Sequence, residues 1–124
     1  MSATFPSGTR EAIFGFHLAD RMKAQLTLVS SLLQSLLQMQ GAEEIGARRL
    51  FLELLRAVDQ DLTLCQAIIQ EGEMVRLKTV FTGIRGMVAD GQLQDLQPHL
   101  TWMITVMTTY AQRAMEYLQR EKLI

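Results

Sequence analysis

The sequence predicts an all-α fold, an antiparallel up-down-up-down four-helix bundle with a shorter third helix, and three observations carry that prediction. Apolar residues recur at steps of three and four through four successive segments. No stretch of useful length alternates polar with apolar residues as a half-buried strand does. Breaks of about two to eight residues separate the segments, which makes consecutive helices antiparallel neighbours. The whole chain, residues 1–124, is read as one helical-bundle domain, because 48% apolar and 20% charged residues offer enough burial to offset ordering entropy.

The opening Phe5-Pro6-Ser7-Gly8-Thr9 reads as a turn, with Ser7 or Thr9 capping helix one and Glu11 in its first turn. Helix one is expected over about 9–40. Its seam is Leu18, Met22, Val29, Leu32, Leu36 and Met39, interrupted at Gln25 and widened by Leu26, Leu33 and Leu37. Gly41 is expected to stop it. Helix two, over 42–71, carries the clearest signal: Phe51, Leu55, Val58, Leu62, Cys65 and Ile69 are spaced four, three, four, three, four without a polar intruder. Gly72, between Glu71 and Glu73, marks the next break, and Met74, Leu77, Phe81, Ile84 and Val88 repeat the spacing over helix three, 73–90. Gly83 and Gly86 make it the helix expected to be least stable. Asp90-Gly91 ends it. Asp95 is expected to cap helix four, 95–122, whose seam is Leu100, Met103, Met107, Tyr110, Ala114 and Tyr117, with Pro98 tolerated in the first turn.

Twelve basic against thirteen acidic residues create no field that would draw a phosphate backbone, so nucleic acid is not an expected partner. Cys65 is the only cysteine and the first sixteen residues have neither a basic nor an apolar leader region, which points to a reducing cytoplasm. Ala24 to Ala42 and Leu96 to Gln112 are uncharged, but serines, threonines and glutamines interrupt both, so no membrane association is expected.

Chemistry is sparse. His17 and His99 belong to no E-x-x-H pair, and the seams of helices two, three and four hold no carboxylate, so neither a metal nor a cofactor is expected. Asp20 near His17 and Asp95 near His99 are ordinary helix-surface or capping neighbours. Cys65 lies on a seam, where burial raises a thiol's pKa and makes it inert. Gly83-Ile84-Arg85-Gly86 lacks the strand and lysine of a phosphate loop. Arg10 and His17, two helical turns apart, loosely resemble the R-x4-6-H element of the helical HEPN ribonucleases. That resemblance implies that Arg10 would stabilise a phosphate and His17 would act as acid or base at an RNA 2′-hydroxyl. In that family the element lies late in the bundle, whereas here it opens helix one, and no catalytic residue is assigned on it.

Two stripes are unusual. Thr27, Ser31, Gln34 and Gln38 on helix one, and Thr101, Thr105, Thr108 and Gln112 on helix four, recur at helical spacing without a charge. Solvated helix faces normally carry Lys, Glu and Arg, and interface cores are depleted in them, so the stripes either face each other or meet another subunit. Trp102, Met87 and Met115 are apolar residues left off the seams, and methionine surfaces adapt to varied partners. The expected function is therefore a non-enzymatic protein–protein interaction module, an adaptor, chaperone or regulator, forming a homodimer and binding another protein. The alternative is a bundle enclosing an apolar small molecule between helix three and its longer neighbours, lined by Met74, Phe81, Met103 and Met107.

Overall fold

The computed structural model describes residues 4–124, and those residues form four α-helices and no strand. They are α1 (Thr9–Leu36), α2 (Gly41–Ile68), α3 (Gly72–Ala89) and α4 (Gln97–Arg120). At 18 residues α3 is the shortest, against 28, 28 and 24. Pairs across the helices fix their directions. Gln25 meets Asp61 while Leu18 meets Cys65, so α1 and α2 run antiparallel. Ser30 meets Gln97 at the start of α4, and Phe5, just before α1, meets Arg113 near its end, so α1 and α4 are antiparallel too. Asp59 of α2 pairs with Lys78 and Arg85 of α3.

Packing is uneven for a reason visible in side-chain size. The buried row of α1 is Ala12, Gly15, Ala19, Met22, Leu26, Val29, Leu33 and Leu36, and its first half is nearly all small. Opposite it α4 buries Ala111 and Ala114, so the two backbones approach closely and α1 packs more extensively on α4 than on α2. Between α3 and α4 the residues are large: Met74, Leu77, Phe81, Met103 and Met107 are all fully buried. Bulk holds those axes apart, and α3 leans on α2 while scarcely approaching α4.

The seams of α2 and α3 are buried as their spacing predicts, from Phe51 to Ile69 and from Met74 to Val88. The seam of α1 is displaced. Its steps of three and four start at Ala12 and run through alanine and glycine, whereas Leu32 is exposed and Leu18 and Met39 are only half-buried. In α4, Val106, Ala111 and Leu118 join the predicted row, and Tyr117 is half-buried.

Helix ends differ from expectation. α1 stops at Leu36, short of residue 40, because Leu36 is its last buried residue; tight turns follow, Gln38 N–H donating to Ser35 and Met39 N–H to Leu36. Gly8, rather than Ser7 or Thr9, is its N-cap, and Glu11 reaches back to accept from the Ser7 N–H and hydroxyl. α2 stops at Ile68, before residue 71, and Glu71 becomes the N-cap of α3. α3 closes at Ala89 with Gly91 at φ +76° and the Gln92 N–H on the Met87 carbonyl, a left-handed stop only glycine adopts freely. Asp95 does not cap α4: it sits at φ +66° in the preceding turn, and Leu96 is the N-cap. Gln97 fastens that end instead, accepting from the Ser30 hydroxyl at 2.6 Å and donating to the Ser30 carbonyl at 3.0 Å. Among the described residues no helix is long and apolar enough to cross a membrane.

Candidate functional site

α1 carries more apolar residues than one core-facing row can bury, and the surplus forms a second row. Leu28, Leu32 and Met39, with Ser35 among them, lie on its flank toward α2 at helical spacing. Across from them α2 turns Ala47, Leu50 and Leu54 outward from its core row. Between the two helices lies an apolar hollow of about 220 Å³, lined by Leu32, Ser35, Leu36, Met39, Leu50 and Leu54 together with Ala47 and Phe51. Ser35 is its only polar residue. Leu50 is 75% exposed, Leu28 50% and Leu32 40%, far more than stray surface leucines on a helix facing water.

Toward the other end the same helix pair is latched by polar groups. Gln25 Nε2 donates to Asp61 Oδ2 at 2.7 Å, and Arg21 pairs with that oxygen at 3.1 Å. Cys65 is buried just beyond, its thiol donating weakly to the Leu18 carbonyl at 3.6 Å. Burial, and secondarily the Asp61 carboxylate, push its pKa up to about 12 against the opposing pull of Arg21, which leaves an inert thiol.

A second constellation gathers where α2 passes into α3. Phe5 is 1% exposed, seated over Gly15 so closely that a Cβ there would collide with its ring. Tyr110 meets it edge to face at 5.7 Å. The Phe5 N–H donates to Glu71 Oε2, and the Phe5 carbonyl accepts from Arg113 Nη2, both at 2.5 Å. Arg113 also grips Glu71 at 2.6 Å, and the Tyr110 hydroxyl donates to the other Glu71 oxygen at 3.4 Å. Burial alone would raise the Glu71 pKa, but the hydrogen bonds from Arg113 and Phe5, the Arg113 charge and the Tyr110 hydroxyl outweigh it and hold the carboxyl below its usual range. Tyr110 is pushed up to about 12 by burial first and by Glu71 next.

The stripe residues Thr27, Ser31, Gln34 and Gln38 are all exposed, one position round α1 from the apolar row, and do not face α4. On α4, Thr101, Thr105 and Gln112 are exposed and Thr108 is half-buried. The hydroxyls of Thr27, Thr105 and Thr108 already donate to carbonyls one turn back, so a covering surface would strand none of those donors. Trp102, Met87 and Met115 are half-buried, with the Arg76 guanidinium 5.2 Å above the Trp102 ring. Met74, Phe81, Met103 and Met107 are fully buried and line none of the five hollows described on the surface. Arg10 and His17 are exposed on α1, with Arg10 5.6 Å above the Phe14 ring.

The stripes point to α1 but not to its leucines. Counting Ala12, Gly15 and Ala19 as core would have set the phase of α1 and left Leu28 and Leu32 outside. The Phe5 constellation gives no local signal, since Glu71 and Arg113 lie 42 residues apart. Among the described residues no three His, Cys, Asp or Glu side chains are placed to hold a metal ion. Comparison with protein-family models, curated proteins and solved structures finds no match for the chain, so its function is argued from geometry.

Proposed function

We propose that the chain is a non-enzymatic helical interaction module, an adaptor, chaperone or regulator, that self-associates as a homodimer through the α1–α2 groove. The observation that carries this reading is the projecting row Leu28, Leu32 and Leu50 beside the apolar hollow. Knobs and hole on one face meet the condition of a two-fold contact, in which the same patch serves both partners. The lining has no charge, as the core of an interface requires. At about 220 Å³ the hollow is smaller than the roughly 300–1,000 Å³ of a small-molecule site. It suits a side-chain knob better. A cytoplasmic setting accords with the lone, buried thiol of Cys65.

Sedimentation equilibrium tests the reading. The wild type is expected to dimerise at tens of micromolar, as about −6 to −7 kcal/mol of association would give. Leu50→Lys is expected to be monomeric with unchanged helicity, because a residue this exposed contributes little to the core. A wild type that stays monomeric at high micromolar concentration overturns the reading.

A further inference from the structure

We propose that the socket between α1, α4 and the α2–α3 junction is a peptide-binding site, that its ligand is an extended aromatic-bearing segment of a partner protein, and that residues 4–7 occupy it as a tethered competitor. This stands independently of the α1–α2 groove, which lies elsewhere on the surface.

The socket has the parts such a site needs. Its floor is Gly15, where the missing side chain makes room for a ring, and its wall is Tyr110. Its rim reads main chain: Glu71 accepts the N–H of the anchoring residue and Arg113 donates to its carbonyl. Bracketing both backbone groups is how an extended segment is held regardless of its other side chains. Thr4 and Ser7 on either side of Phe5 are exposed, so the occupant needs only an aromatic ring and free flanking peptide groups.

The arm also fills too little. Glu71, Tyr110 and Arg113 continue into a cleft of about 440 Å³ between α3 and α4, lined further by Glu73, Trp102 and Thr109. That cleft exists because α3 and α4 scarcely approach each other. An occupant longer than this arm has somewhere to go, along a floor that offers Trp102 for stacking and threonines for polar contact. Two partly desolvated charges, Glu71 and Arg113, are a costly way to pin one terminal ring if pinning is all they do.

A tethered competitor lowers the apparent affinity of any peptide supplied from outside, because a short linker holds it at an effective concentration near the millimolar range. The experiment uses the full-length chain carrying Phe5→Ala, whose arm lacks the ring, and a fluorescent synthetic peptide with the sequence of residues 3–8. Saturable binding to Phe5→Ala is expected, with apparent affinity for the wild type lower by about a hundredfold. A peptide with alanine in place of its phenylalanine is expected not to bind. Adding Glu71→Gln to Phe5→Ala is expected to weaken binding by about tenfold through loss of the charge-assisted backbone bond. Absence of saturable binding to a Phe5→Ala protein of native helicity overturns the proposal, and so does equal binding to wild type and variant. If Phe5→Ala loses helicity, the wild type decides. Millimolar peptide must then shift the Gly15 amide resonance, and an unmoved resonance overturns the proposal.

Discussion

Glu71 is held by groups from three parts of the chain: Arg113 and the Tyr110 hydroxyl on α4, and the backbone N–H of Phe5. Because its pKa is lower in the folded state than the usual 4.5, its ionised form stabilises the fold. The sign follows: that contribution is complete above the unfolded value and fades as pH falls through the folded one. Glu71→Gln is therefore expected to lower Tm near neutral pH, and the gap from wild type is expected to shrink at about pH 3, where both carry an uncharged side chain. A gap independent of pH, measured by circular dichroism melts, would assign the loss to shape alone. Nothing around Glu71 in the sequence announces this role. It stands in a Glu-Gly-Glu break that reads as a helix boundary, and its partners Phe5 and Arg113 are 66 and 42 residues away.

Among the helices, α3 shows what spacing reveals and what it omits. Met74, Leu77, Phe81, Ile84 and Val88 are legible because each step of three or four is occupied by a large apolar residue, and all five are buried. Gly83 is legible only as a weakness, since sequence does not say whether a neighbour packs against it. In the fold nothing lies within 4 Å of where its Cβ would be, so close packing does not account for the glycine. Gly83→Ala is accordingly expected to stabilise the protein by about 0.5–1 kcal/mol in urea denaturation. The seam of α1 was misphased by the opposite error: its small residues carry the contact with α4, and a search for large apolar residues passes over Ala12, Gly15 and Ala19. The groove followed from that mistake. Leu32 reads as core by spacing yet becomes the lip of a hollow, because the row beginning at Ala12 has already taken the inward face.

For the molecule as a whole, a net charge of −1 places no long-range repulsion between two copies, and the groove they would share has no charged lining residue. Dimerisation through it is expected to be nearly indifferent to salt between roughly 0.05 and 0.5 M, a range over which the screening length falls from about 14 to about 4 Å. A dissociation constant that rises tenfold across that range, read by sedimentation, would move the contact to a charged face. Four helices, their order and their antiparallel directions were within reach of the sequence because each depends on local spacing and short connections. The unequal distances between them were not, since those depend on which sizes of side chain happen to meet.

The seat of Phe5 also has a bearing on biosynthesis. Its carbonyl is bound by a side chain 108 residues further along, so during translation this phenylalanine is made early and has no home until nearly the whole of α4 has left the ribosome. For that interval its ring is presented to whatever meets the growing chain, and its docking marks the moment at which first and last helices have been brought together.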